Sequence, residues 1–218
     1  MNNEYMSVEE AKKMICEVGK RMYDREFVAA NDGNISIRTG ENEVVCTPTG
    51  VSKGYMTPDM MCVINLNGEI LSGNMKPSSE VKMHLRVFKE NPKMKAVVHA
   101  HPPISTTFSI VGTELDKPIL AAAVILLGTV HIAPYAKPGT EEVPESIAPY
   151  CNNSNGVLLA NHGALTWGRD ILEAYHRLES MEHYAKILMY TTKIFESDNE
   201  LTKEQIEGLN EIKKRLGL

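Results

Sequence analysis

AVVHAHPPIS, residues Ala96–Ser105, sets two histidines one residue apart behind a short apolar run. A run of this length, closed by two prolines, reads as a strand. Alternate residues of a strand point to the same face. His99 and His101 therefore project together toward one point, which suits a metal ion without requiring one. The fold follows from what surrounds this strand.

Upstream, SSEVKMHLRVFKENP (residues 78–92) reads as a helix capped by Ser79 and stopped at Pro92. MCVINLNGEILSG (61–73) reads as a hairpin turning at Asn67-Gly68, and NDGNISIRTGENEVVCTPTG (31–50) as a second hairpin around Thr39-Gly40. A first helix is expected where Ser7 and Glu10 make a capping-box pattern and Val8, Ala11, Met14, Ile15, Val18 and Met22 share a face. Downstream, GVLLANHGALTWG (156–168) reads as a strand pair around His162. A long helix from about Asp170 to Ile194 and an amphipathic helix from Leu201 to Leu216 complete the chain. Strands interleave with helices, but the tight hairpins predict a largely antiparallel sheet. The expected architecture is a single α/β domain over residues 1–218, a central sheet flanked by helices.

Hydrophobic residues make up 43% of the 218, enough for a sizeable core. The net charge of −5 offers no basic footprint for nucleic acid. PILAAAVILLG (118–128) is too short for a membrane span and is expected to be buried in the core. MNNEYMSVEEAKK lacks the apolar segment of a signal peptide, and Cys16, Cys46, Cys62 and Cys151 are widely separated. Reduced thiols and a cytoplasmic location are expected.

Catalytic zinc sites commonly use three protein ligands and leave one position open. His162, in a Gly-flanked turn, could complete a set with His99 and His101. His84, His131, His176 and His183 are expected to be ordinary core or surface residues, and Tyr135 structural. Asn34, Thr49, Ser78 and Ser79 lie in turns or at a helix start, where such residues are common for conformational reasons alone. A helix N-terminus nevertheless attracts phosphate, and these side chains would add neutral donors. Glu80, in the first turn, is either a plain helix-start acid or a general base whose pKa desolvation raises toward neutrality.

The ordered set GNIS, TPTG, PSSE, HAH and NHG resembles the class II aldolase/adducin family over about Val8 to Ile194, and within it the L-fuculose-1-phosphate aldolase branch. The resemblance implies a central antiparallel sheet and a zinc enzyme that cleaves a ketose 1-phosphate to dihydroxyacetone phosphate and an aldehyde through a metal-stabilised enediolate. It implies His99, His101 and His162 as zinc ligands, Asn34, Thr49, Gly50, Ser78 and Ser79 as the phosphate site, and Glu80 as acid/base. It also implies a cyclic homotetramer with active sites at subunit interfaces. The related 4-epimerases carry aspartate where this chain has Glu80, which favours an aldolase. A tyrosine implied in the region DKPILAAAV is replaced by Leu120, and the tail KKRLGL supplies none. That substitution points to a less hydroxylated substrate such as a 5-deoxy- or 5-methylthio-pentulose 1-phosphate. Competing readings are a dehydratase, decarboxylase or epimerase on the same fold, or a non-catalytic adducin-type module.

Overall fold

In the computed structural model, which describes residues 5–197 and 199–217, eight strands form one sheet. In chain order the elements are α1 (Val8–Asp24), β1 (Asn34–Gly40), β2 (Glu43–Cys46), β3 (Cys62–Ile64), β4 (Ile70–Ser72), α2 (Val81–Glu90), β5 (Ala96–Ala100), α3 (Pro103–Val111), α4 (Ala121–Leu126), β6 (Ile132–Ala133), α5 (Glu142–Ile147), β7 (Gly156–Leu159), β8 (Gly163–Gly168), α6 (Ile171–Met189) and α7 (Lys203–Leu216). The strand order is β4-β3-β2-β1-β5-β8-β7-β6. Every pairing is antiparallel except β6 with β7. The expected α/β class and largely antiparallel sheet are both observed.

Each face of the sheet carries its own core. On one, Ala11, Ile15, Val18 and Met22 of α1 and Leu178, Met181 and Ala185 of α6 join Ile35, Val98 and Ala100. On the other, Val81, Leu85 and Phe88 of α2 and Val143 and Ile147 of α5 cover Val97, Leu165 and Trp167. With Val98 and Ala100 on the first face, the alternation of β5 assigns His99 to the second, beneath α2. Central strands covered on both sides need apolar residues at nearly every position, as AVV and GVLL supply.

Several boundaries differ from those expected. The first hairpin turns at Glu41-Asn42, because Gly40 still pairs with Glu43. The N-cap of α2 is Glu80 rather than Ser79; the Ser78 hydroxyl accepts the Glu80 N–H at 3.3 Å and the Ser78 carbonyl accepts that of Val81. The long C-terminal helix changes to a π-helix over Tyr190–Ile194. There Thr191 and Thr192 donate their hydroxyls to carbonyls of the preceding turn, a competition that loosens an α-helix. PILAAAVILLG is not a core segment: Ala123 and Leu127 are buried, but Ala121 and Ala122 are exposed. Tyr135, expected to be structural, is 66% exposed. Cys46 and Cys62, distant in sequence, are free thiols paired across β2 and β3. Among the described residues no helix is long and apolar enough to cross a membrane.

Candidate metal centre and active site

β1 begins, β5 ends and β8 begins at the same end of the sheet, and the polar residues of the motifs gather there. Antiparallel pairing sets Asn34 opposite His99, and His99 opposite Leu165. The β7–β8 turn delivers His162, with Asn161 in the left-handed region at φ 56°. Gly163 must be glycine for a different reason: a Cβ there would lie 2.5 Å from the Ala100 carbonyl oxygen and 2.6 Å from the His101 ring. This close approach of β8 to β5 brings the rings of His99, His101 and His162 together, with centroids 4.8–5.0 Å apart. One ring nitrogen from each can be chosen so that all three lie within 4.8 Å of one another.

The hydrogen bonds behind the rings fix what they present. His99 Nδ1 lies 2.9 Å from the Ala164 carbonyl, which can only accept, so this nitrogen carries the proton. His101 Nδ1 faces Asp32 Oδ2 at 3.3 Å, and a carboxylate likewise requires a proton on that nitrogen. The Nε2 atoms of the two neutral rings therefore turn lone pairs toward each other at 3.1 Å. Glu80 Oε2 lies 3.5 Å from His99 Nε2, and Glu80 Oε1 lies 3.2 Å from His162 Nε2. Burial, the largest influence, pushes His99 well below the ordinary imidazole value despite the pull of Glu80. Burial also lowers His101, against Asp32 and Glu80. Electron-rich atoms crowded in this way with neutral rings are what a cation relieves. Tetrahedral zinc with nitrogen ligands at about 2.0–2.1 Å separates them by roughly 3.3 Å, close to the 3.1 Å between the two Nε2 atoms. The donor set fits a divalent, nitrogen-preferring metal.

Glu80 corrects one expectation. Burial alone would raise its carboxyl, but the adjoining imidazoles of His99 and His162 and hydrogen bonds from His162 and Asn34 outweigh burial and hold it below the usual carboxylate range. The group is an ionised carboxylate, not one poised near neutrality.

The sequence-predicted phosphate residues come together through backbone. Pro48 and Pro77 form an isolated antiparallel bridge; Thr49 N–H donates to the Lys76 carbonyl at 2.9 Å and Ser78 N–H to that of Thr47 at 3.1 Å. Thr47 in turn ties to Ile35, beside Asn34, through its amide and its hydroxyl. Thr49, Gly50 and Ser79 are exposed, Ser78 is half-buried, and Asn34 is buried with its amide nitrogen 2.9 Å from Glu80 Oε2. Gly50 holds φ +74° with open space around its missing Cβ, so its glycine serves the backbone turn.

Two residues escaped the sequence reading. Asp32 contacts His101 from a loop in which Ala30 (φ 46°) and Gly33 (φ 77°) are both left-handed, a geometry no periodicity announces. Lys53 is buried and donates to the carbonyls of Asn31 and Val51. Burial pushes its amine down to about 8, with Asp32 and Glu80 pulling the other way. Leu120, where the implied tyrosine is missing, packs against the core shared by α1 and α6. His176 and His183 are exposed, as expected; His131 faces Glu114, and His84 is buried against the Ser36 hydroxyl at 2.7 Å.

Comparison with known proteins identifies the family of the chain. The family described as Class II Aldolase and Adducin N-terminal domain matches residues 13–189. An L-fuculose phosphate aldolase of Methanococcus maripaludis is 36% identical over 171 residues, covering 78% of this chain and 92% of that protein. A 3-oxo-tetronate 4-phosphate decarboxylase of Haemophilus influenzae is 33% identical over 181 residues, covering 81% and 85%. A solved L-fuculose 1-phosphate aldolase superposes with a TM-score of 0.87 at 27% identity, covering 98% of this chain and all of that one. The chain belongs to the class II aldolase/adducin family.

Proposed function

We propose that the protein is a zinc-dependent aldolase that cleaves a ketose 1-phosphate to dihydroxyacetone phosphate and an aldehyde. The observation that carries this reading is the convergence of His99, His101 and His162 on the Glu80 carboxylate, beside loops stapled together at Pro48 and Pro77. When bound, zinc supplies a Lewis acid for the ketose oxygens and for the charge that develops as the carbon–carbon bond breaks. As ligands, the imidazoles of His99, His101 and His162 would be neutral donors and leave the ion its full charge, which thiolates would quench.

The chain's other residues orient the substrate and move protons. Asn34, Thr49, Gly50, Ser78 and Ser79 would hold the phosphate, fixing the pose from a group remote from the bond being broken. Glu80, already ionised, would accept a proton and return one to the carbon next to the carbonyl; its retreat from His99 and His162 would open room for the sugar. The family resemblance further supports a cytoplasmic homotetramer with interfacial active sites. Exposed Ile110, Val111, Ile194 and Phe195 offer apolar surface for such an assembly.

A second reading is decarboxylation of a 3-oxo-acid phosphate, favoured by the similarity to the Haemophilus influenzae protein. Both reactions leave an electron pair on a carbon beside a carbonyl, so one site suits either. Purified protein offered a panel of ketose 1-phosphates, coupled to glycerol-phosphate dehydrogenase, should release dihydroxyacetone phosphate. Silence across the panel with carbon dioxide from 3-oxo-tetronate 4-phosphate would replace the aldolase with the decarboxylase. Elemental analysis should find one zinc per chain, lost in His99→Ala; metal-free folded protein would sink both readings. Glu80→Gln should keep the zinc and lose about 10²–10⁴-fold in turnover, and full activity would remove the acid/base role.

A further inference from the structure

We infer that Asp32 is a positioning residue of the metal centre, the outer carboxylate that aims His101. The inference rests on the metal reading proposed above and extends it to a residue outside the recognisable motifs.

His101 lies just beyond β5, so the sheet ladder that orients His99 does not reach it. Its ring is half-buried rather than enclosed, and nothing in its own strand fixes its tautomer. The loop leading into β1 supplies both missing constraints. The His101 N–H donates to the Phe27 carbonyl at 2.9 Å, and Asp32 Oδ2 takes the ring from its Nδ1 side at 3.3 Å. Ala30, between these contacts, and Gly33, just past the second, both adopt positive φ. A side chain at Gly33 would meet Val28 at 2.7 Å and the His99 carbonyl at 2.9 Å. A non-glycine residue such as Ala30 is held in this conformation only when its surroundings over-determine it. Here the Lys53 ammonium supplies part of that constraint, bonding the Asn31 carbonyl next to Asp32 at 2.9 Å from a buried position. A strained loop and a buried lysine thus converge to hold one carboxylate behind one ring.

The consequence for metal binding is direct. A carboxylate on Nδ1 keeps the proton there, leaves Nε2 as the donor and raises its basicity. His99 receives the same service from a backbone carbonyl, which no substitution can remove; in His101 it depends on a side chain and can be tested.

The test is zinc affinity, measured by competition with a chromophoric chelator on the full chain without substrate. Asp32→Ala should weaken zinc binding by about 10–100-fold, the range found when such outer partners are removed. Asp32→Glu should recover part of the loss by restoring a carboxylate. Asp32 is half exposed, so the metal-free melting temperature of Asp32→Ala should stay close to that of the parent. Wild-type affinity in Asp32→Ala would overturn the inference and leave the metal reading standing. Failure of the parent protein itself to bind zinc would overturn both.

Discussion

Val98 and His99 are consecutive, equally closed to solvent, and paired to the same two strands: Val98 with Ile35 and Thr166, His99 with Asn34 and Leu165. Their surroundings differ completely. Val98 lies on the face covered by α1 and α6, where it contributes dispersion and removal of apolar surface from water. His99 lies on the face of α2, where burial imposes neutrality and its Nε2 meets His101 and Glu80. One turn of the strand's alternation separates a residue that serves stability from one that serves chemistry. A single strand can do both because the second face changes character at its end, from Val97 among apolar neighbours to His99 among ionisable ones.

The sharpest break of this comparison is His99→Ala. It should abolish zinc binding and lower turnover by more than about 10³-fold, measured by elemental analysis and steady-state assay, since one ligand of three is lost. The metal-free protein should stay folded, because the substitution also removes a lone pair from a crowd of acceptors. Val98→Ala should do the reverse: about 2 kcal/mol less stable in urea unfolding, with zinc content unchanged. Gly163→Ala should join the two effects. Its methyl group must push against the Ala100 carbonyl and the His101 ring, costing roughly 1–3 kcal/mol of stability and weakening zinc together. Loss of stability alone would mean that the strands shift without disturbing His101.

The smallest effect sharpens the comparison through pH. His84 is fully buried one helical turn beyond Glu80, with Nε2 unpartnered, and burial depresses it to about 3 against the weaker opposing pull of Glu80. A depressed folded-state value means that the unfolded chain binds the proton more readily. The contribution is therefore intact above the ordinary imidazole value near 6.5 and is lost as pH falls toward about 3. In chelated protein, His84→Leu should flatten the loss of stability across that window, while at pH 7 removal of the orphaned ring nitrogen is offset by about 1–3 kcal/mol lost as the buried Ser36 hydroxyl loses its partner. An unchanged pH profile would assign the acid sensitivity to other groups.

Much of this was legible in the chain. The hairpin of β3 and β4, the apolar stripe of α1 and the paired histidines each carry a local signal, and local signals survive into the fold to within a residue. That hairpin turns at Leu66-Asn67, with Gly68 following at φ 86°, instead of at Asn67-Gly68. The stretch between β5 and β7 was harder to read, because α3, α4 and α5 are short and β6 is only two residues long. Periodicity needs more turns than these elements have. Within the site, motif residues were visible and their support was not. Asp32 reaches His101 only through a loop with three left-handed residues, Glu26, Ala30 and Gly33, and Lys53 acts through carbonyls that every sequence possesses. The ionised state of Glu80 depends on partners from β1, β5 and the β7–β8 turn, all distant in the chain.

His101 and His162 are neighbours across the sheet end although 61 residues separate them. The intervening segment leaves after β5, builds α3, α4, β6 and α5, and returns through β7 to deliver His162. An ion held by both histidines would cross-link the ends of this excursion, and closing a loop of such length removes much freedom from the unfolded chain. Chelation would then loosen the excursion before the rest of the molecule, a sequence that amide hydrogen exchange can follow segment by segment. The same closure separates two tasks in the gene. Residues between the two histidines can be exchanged to reshape whatever the segment contacts, provided that β5 and β8 keep their register and return His162 to its place.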